Sequence, residues 1–314
     1  MLKNSSFWHL SVPIIFVLLW STGFIGAKLG LPFAEPMTFL FYRMLLTLVA
    51  LFIIALVVKA TWTCDFKKIG HISISGLLVH AAYLGGLFTA IKYGLPAGLT
   101  ALIVGLQPLL TTIVAVPFLG ETVTKRQFLG LVLGLTGVAM VLGEKLYLNH
   151  LGLSTVSFGW EAVAFGVLAL IGISLGTIYH KRYCTDMDLI SGTFIQYAAT
   201  ATVLGIAAYF TEDMQVQWTG QFIFAMTWLV LVLSIGAIIL LMLLIKRGEA
   251  SKVSSLFYLV PPLTATEAYF LFDEKLYTVA LVGMVITVIG VALVIIQGNK
   301  KLLPKGQELE NECH

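Results

Sequence analysis

Charged side chains are scarce in this chain, at 11% of its 314 residues, against roughly 25% in soluble domains. So little charge cannot clothe a water-facing globule of this size. Cysteine is nearly absent as well. Cys64, Cys184 and Cys313 have neither metal-ligand spacing nor the even count of a disulfide framework. There is no glycine-rich phosphate loop, no His-Glu-x-x-His and no Ser/His/Asp constellation. The sequence therefore implies no cofactor, no metal and no catalytic residue, and ATP-driven work by this chain alone is not expected.

What is present is apolar. Hydrophobic residues make up 59% of the chain and mean hydropathy is +0.96, the composition of a polytopic membrane protein. Crossing a bilayer takes about 20 apolar residues per helix. Ten segments meet or approach that length: Val12–Leu29, Pro36–Val58, His71–Ile91, Leu95–Phe118, Gln127–Leu142, Glu161–His180, Leu189–Phe210, Ile223–Ile245, Ala250–Phe272 and Leu276–Gln297. The expected fold is an all-α membrane protein of ten transmembrane helices. Met1–Leu29 carries Lys3 before its apolar run and no small-residue cleavage site, and reads as a retained first helix. Gly143–Trp160 and Thr211–Phe222 are the longest expected loops, and the polar stretch after Gly298 is an expected disordered tail.

Lysine and arginine give the sidedness. With the N-terminus cytoplasmic, Lys59, Lys67, Lys68, Lys125, Arg126, Lys181, Arg182, Lys246, Arg247 and Lys252 lie inside, and only Lys28, Lys92, Lys145 and Lys275 lie outside. The positive-inside rule then places both termini in the cytoplasm. Those basic residues are accounted for by topology and call for no nucleic acid partner.

The chain also repeats itself at a constant offset of 153 residues. Pro108 falls on Pro261, Glu121 on Glu274, Gly130 on Gly283 and Gly137 on Gly290, and upstream Ser21 falls on Ser174 and Lys28 on Lys181. Two units are expected, residues 1–148 and 149–298, followed by the tail 299–314. Each holds five helices, an odd number, so the second enters the membrane in the opposite sense. Such inverted repeats underlie many secondary transporters.

These residues carry a resemblance. Trp20-Ser21-Thr22-Gly23-Phe24, Phe41-Tyr42-Arg43, Pro108 with Leu119-Gly120-Glu121, Pro261-Pro262 with Phe272-Asp273-Glu274, and the glycine-rich runs Gly130–Val141 and Gly283–Val294 resemble the EamA family of the drug/metabolite transporter superfamily. The likeness covers about Val12 to Gln297, and departs where Asp273 stands opposite Gly120, a change expected only at a loop cap. It implies a bacterial inner-membrane exporter of small metabolites, with amino acids or related amphiphilic compounds leading. It also implies a central cavity walled by the first, third, fourth, sixth, eighth and ninth helices. A drug or quaternary-amine exporter is a second reading, and a non-transporting membrane sensor or enzyme a third.

Candidate substrate-binding residues are Trp20, Tyr42, Arg43, His80, Tyr83, Gln107, Gln196, Tyr258 and Glu267. Glu267 is an isolated acid in an apolar helix, where an ionised group is costly; it is a proton-coupling or amine-binding carboxylate, or a buried partner for a hydroxyl or for Arg43. Arg43 is a carboxylate clamp, because its planar fork donates two parallel hydrogen bonds, or a structural clamp on helix ends. Its repeat mate is the neutral donor Gln196. His80 is a proton-relay candidate or a packing residue, and protons are the possible coupling ion. Gln107 offers an amide to a ligand or to backbone freed by Pro108. Aromatic Trp20, Tyr42, Tyr83, Tyr197, Tyr258 and Tyr269 are candidates for cavity walls or for lipid and core contacts. Pro108, Pro261 and Pro262 are expected mid-helix kinks and hinges. Glu121 and Glu274 are expected helix caps. Gly130-Leu-Val-Leu-Gly134, with Gly283 and Thr287 opposite, predicts a pairing of the fifth and tenth helices, within one chain or between protomers of a monomer-or-homodimer.

Overall fold

The computed structural model describes residues 5–119, 124–150, 158–236, 240, 259–275 and 277–298, and of these the side chains from residue 15 onward except at 115–119, 145–146, 149–150 and 294–298. The described residues form helices α1 (Ser5–Gly30), α2 (Pro36–Val58), α3 (Phe66–Lys92), α4a (Ala97–Val104), α4b (Gln107–Leu119), α5 (Lys125–His150), α6 (Trp160–Tyr183), α7 (Leu189–Thr211), α8 (Gly220–Gly236), α9 (Val260–Phe272) and α10 (Thr278–Gly298). Among the described residues, six helical spans are long and apolar enough to cross a membrane: α2, α3, Ala97–Val114, Lys125–Glu144, α6 and α7. Among the described residues, an isolated antiparallel bridge joins Ala34 to Val216.

The 153-residue offset reappears in the helix boundaries. Pro36–Val58 maps onto Leu189–Thr211, Gln107–Leu119 onto Val260–Phe272, and the starts Lys125 and Thr278 coincide. Inside α3, Leu77–Ala82 winds as a π-helix, and Trp228–Gly236 of α8 does the same over the equivalent stretch. A π-turn widens the helix and frees backbone groups, and such turns gather at functional sites. Packing follows the same pattern. The equivalent pairs α2 and α7, and α5 and α10, contact one another; α4a meets α9, α1 meets α8 and α3 meets α6.

The tightest of these contacts is α5 against α10. A Cβ on Gly283 would stand 2.6 Å from the Gly137 carbonyl oxygen, and one on Gly290 would stand 2.6 Å from that of Gly130. Backbones this close require the missing side chains, as small-residue spacing predicts. The pairing is therefore within one chain.

Several expectations need correction. The fifth helix does not end at Leu142; it runs to His150, because Glu144 is drawn into helical register to accept hydrogen bonds from Ala280 N (2.6 Å) and Val279 N (3.3 Å) at the start of α10. Pro108 is not mid-helix. The fourth segment breaks at Gly105-Leu106 and restarts at Gln107, placing Pro108 in a first turn where its missing N–H costs nothing. Pro261 and Pro262 stand near the start of α9 as described, and the residues before Leu259, which bear on whether they lie mid-helix, are outside the described residues. Residues 241–258, including Tyr258, and Glu121 and Gly120 lie outside the described residues.

Carboxylates hold one end of the bundle together. Glu274 accepts from Ala97 N (3.0 Å) and Gly98 N (3.4 Å), capping α4a, and pairs with Lys28. The cap expected of Glu274 is made on α4a, whose exposed N–H groups claim it. Glu212, at the end of α7, accepts from Met37 N (2.8 Å), Thr38 N (2.7 Å) and Thr38 Oγ1 (2.7 Å) at the start of α2. Lys92 reaches Glu35 at 2.9 Å. Asp273 closes α9 in a left-handed conformation (φ 52°), the local role expected of it, since Asp tolerates this region better than most residues.

Candidate substrate-binding site

Two polar clusters interrupt the apolar interior. The first is centred on Arg43. The first turns of α2 bury Phe39, Leu40 and Met44 against the core, and this register turns Arg43 inward, where it is 7% exposed. Its Nη2 donates to Ser234 Oγ at 3.3 Å, and Ser234 in turn donates to the Leu229 carbonyl five residues back, a contact made by the π-turn of α8. The Arg43 Nε is buried and has no hydrogen-bond partner. The ion pairs among the described residues leave Arg43 without a carboxylate. Tyr83 of α3 and Tyr197 of α7 lie close enough to interact with its charge.

His80 sits beside this guanidinium, on the π-turn of α3. Its ring centroid lies 4.5 Å from that of Tyr197, and it is within electrostatic reach of Arg43, Gln196 and His180. Gln196 Nε2 donates to Ser75 Oγ (3.3 Å) and to His180 Nδ1 (3.3 Å), and Ser75 Oγ lies 3.1 Å from the same nitrogen. The α3–α7 approach that allows this is close: a Cβ on Gly76 would be 2.6 Å from the Gln196 Cα. Five sequence candidates or their repeat mates thus converge: Arg43, His80, Tyr83, Gln196 and Tyr197.

The second cluster is Glu267. Ser21 Oγ donates to its Oε1 at 2.6 Å, while Oε2 is buried without a partner. Thr264 Oγ1 donates to the Ser21 carbonyl at 3.3 Å, and Trp228 Nε1 donates to Thr22 Oγ1 at 2.9 Å, so α1 is tied to both α9 and α8. The hydroxyl partner expected for Glu267 is Ser21. The alternative partner, Arg43, is elsewhere. Counting turns, Arg43 lies about 10 Å from the start of α2 and Glu267 about 8 Å from the end of α9, on the same side of the bundle.

The other candidates are dispersed. Tyr42 turns away from Arg43, as adjacent helical residues must, and packs against Phe41 and Trp218 (5.5 and 5.9 Å between centroids). Gln107 donates to Thr177 Oγ1 at 3.0 Å, joining α4b to α6; no backbone freed by Pro108 calls on it. Trp20 is half-buried against Phe16, 5.6 Å between centroids. Tyr269 is exposed on α9, and Trp160, Tyr147 and Trp218 are exposed near helix ends, as an interface belt requires. The sequence reading missed Ser75, His180 and Ser234; each is a polar residue within an apolar helical run, the one signal that marked them.

Among the described residues, the interior thus holds a buried guanidinium with an unpartnered Nε and a separate carboxylate with one unpartnered oxygen. The EamA-like transporter family matches residues 7–143 and again residues 160–296. An uncharacterized transporter of Bacillus subtilis, YvbV, is 29% identical over 284 residues, covering 88% of each chain. A probable amino-acid metabolite efflux pump of Escherichia coli is 24% identical, with 89% of this chain and 92% of the pump aligned. An S-adenosylmethionine uptake transporter of Rickettsia felis is 30% identical over 70% of this chain and 71% of its own. A solved crystal structure matches with TM-score 0.60 at 21% identity, over 93% of this chain and 98% of that one, which is a likeness of fold. The two family matches, in the register of the internal repeat and spanning nearly the whole sequence, make this chain a member of the EamA-like transporter family.

Proposed function

We propose that this protein is a secondary transporter, not an enzyme, that moves amino acids or related amphiphilic metabolites outward across a bacterial inner membrane by alternating access. The observation that carries this reading is Arg43: a buried guanidinium with an unpartnered Nε, set between Tyr83 and Tyr197 and lacking an ion-paired carboxylate among the described residues. Burying an unpaired charge is costly, and a substrate carboxylate relieves that cost while the aromatic rings take the apolar part of the ligand. The amine end of such a ligand suits the free oxygen of Glu267.

Two halves, 1–148 and 149–298, with both termini cytoplasmic, would exchange conformations to open the site to either side. The repeated helix boundaries and paired π-turns support this. In that orientation the end held by Glu274, Glu212 and Glu35 is the outer one, and the carboxylate bonds across it are a closed outer gate. The name of the Escherichia coli relative favours efflux of amino-acid metabolites.

A quaternary-amine exporter is the second reading. It is favoured by one observation: Glu267 and Arg43 share no contact, which leaves a carboxylate available to a cation. Efflux from proteoliposomes loaded with mixed amino acids and organic cations separates the two. Selective loss of amino acids supports the first reading, selective loss of cations the second, and no protein-dependent flux from folded protein removes both.

A further inference from the structure

The 153-residue repeat separates contacts that can move from contacts that cannot. If the halves exchange conformations, a contact between residues of different halves becomes, in the opposite state, the contact between their repeat mates. A contact whose image is already made is the same in both states. A contact whose image is absent must change.

Two helix pairs are their own image. In α5–α10, a Cβ on Gly283 would stand 2.6 Å from the Gly137 carbonyl oxygen, and the image of that contact, Gly290 on Gly130, is made at the same 2.6 Å. In α2–α7, a Cβ on Gly205 would stand 2.8 Å from the Phe41 ring. Its image is Phe52 on Phe194, and those ring centroids lie 6.2 Å apart. Thr38 and Ser191 are repeat mates as well. Thr38 Oγ1 donates to Glu212 just past α7 at 2.7 Å, and Ser191 Oγ donates to the Thr61 carbonyl just past α2 at 2.6 Å. The pair is tied alike at both ends.

The contact of α1 with α9 has no such image. Thr264 Oγ1 donates to the Ser21 carbonyl at 3.3 Å. The repeat mates are Thr111 and Ser174, where α4b meets α6. Here Thr111 Oγ1 and Ser174 Oγ are both buried with no hydrogen-bond partner among the described residues.

We propose that α2–α7 and α5–α10 are a fixed frame on which α9 moves against α1, and that the Thr264–Ser21 bond of this state gives way in the opposite state to a bond from Thr111 to the Ser174 carbonyl. This rests on the transport reading above. A buried hydroxyl without a partner is costly, so Thr111 gains what Thr264 gives up, and the two states stay close in free energy. Glu274 clasps Lys28 and the start of α4a from the end of α9, and it opens with the Thr264 bond. Glu212 belongs to the frame and holds in both states. Of the two carboxylates, Glu274 is the gate.

Two cysteine pairs test the frame, each in a chain whose native cysteines are replaced by serine. Ala34 and Val216 face each other in the antiparallel bridge, where Cα atoms lie about 4.5–5.5 Å apart, within reach of a disulfide. An Ala34→Cys/Val216→Cys disulfide should leave exchange of labelled L-amino acids in proteoliposomes at its reduced-state rate. Lys28→Cys/Glu274→Cys, joined by a short bifunctional methanethiosulfonate, should lose exchange and regain it on reduction. Exchange lost in the first, or kept in the second, overturns the frame. Wild type that exchanges none of a panel of L-amino acids overturns the transport reading itself.

A second measurement needs no substrate. Ala97 is fully buried, with its N–H on Glu274, so external maleimide labelling of Ala97→Cys protein reads how often that end opens. Thr264→Val should raise the labelling rate and Thr111→Val should lower it, each by about 2- to 12-fold, the worth of one neutral hydrogen bond. Changes of the same sign, or none, overturn the exchange of bonds.

Discussion

Ser21 donates to Glu267 at 2.6 Å and thereby uses one of the two carboxylate oxygens, leaving the other buried and unpartnered. Ser21 comes from the first half of the chain and Glu267 from the second. If the halves move against one another as proposed, a site shared between them is presented differently in each state of the cycle. The same holds for Arg43 and Ser234.

If Glu267 receives the cationic end of the substrate, Glu267→Gln should raise KM by about tenfold or more, since bonds to a charged group contribute about 1.5–3 kcal/mol. Ser21→Ala should act in the same direction but more weakly. Concentration-dependent exchange in proteoliposomes gives both values. An unchanged KM in folded Glu267→Gln protein would exclude the amine-binding role.

Arg43→Lys retains the charge and loses the fork. Folding should persist, because Ser234 can still receive a bond, while transport should fall by about a hundredfold or more if recognition of the carboxylate is bidentate. Full transport in this variant would make Arg43 structural.

The α5–α10 contact sets a stability prediction. Gly290→Ala should lower thermal stability by about 1–3 kcal/mol, the usual cost of overpacking, because its Cβ would meet the Gly130 carbonyl at 2.6 Å and the Gly134 nitrogen at the same distance. Gly70→Ala is the control, with nothing within 4 Å of its Cβ. Melting in detergent that does not separate the two would argue against this packing.

Glu274→Gln should weaken the Lys28 end without touching the Arg43 cluster. It removes an ion pair and the charge that caps α4a. Loss of one partner of a buried pair costs several kcal/mol, roughly 3–5 at most; Lys28 is 25% exposed, so a smaller loss is expected. A cysteine placed at Ala97 should become more reactive to external reagents in this background, and unchanged reactivity would speak against a gate.

Cysteine chemistry tests the sidedness. Cys64 is exposed and Cys184 buried. Burial holds the Cys184 thiol above its ordinary range, only partly offset by a hydrogen bond with Ser75. The thiolate is the reactive form, so Cys184 should alkylate more slowly than Cys64 near neutral pH and keep accelerating as pH rises. With the proposed orientation, Cys64 should react from the cytoplasmic side. Labelling of Cys64 by an impermeant maleimide outside intact cells would invert the topology.

Much of this was legible in the one-dimensional sequence, because a bilayer constrains it so tightly. Helices must bury their own backbone polar groups, so apolar length alone marked α2 and α7 to the residue or nearly so. The glycines of α5 and α10 announced a close contact through spacing alone. Isolated polar residues such as Arg43, His80 and Glu267 stood out against their surroundings.

Tertiary structure decided which of these meet. Arg43 and Glu267 look alike as lone charges in apolar helices, yet one is bonded to a π-turn serine and the other to a serine of α1. Neither π-turn has a periodicity signal strong enough to see, since one extra residue in a turn shifts the apolar face only locally. Yet those turns bring His80 and Ser234 to the site. Tyr42 and Arg43 are neighbours in sequence and part company in space, because successive residues on a helix point about 100° apart. Composition determined that the chain is a membrane bundle, since too little charge remains to face water. Only the packing of one half against the other determined where its few polar groups converge, because that depends on contacts between residues about half the chain apart.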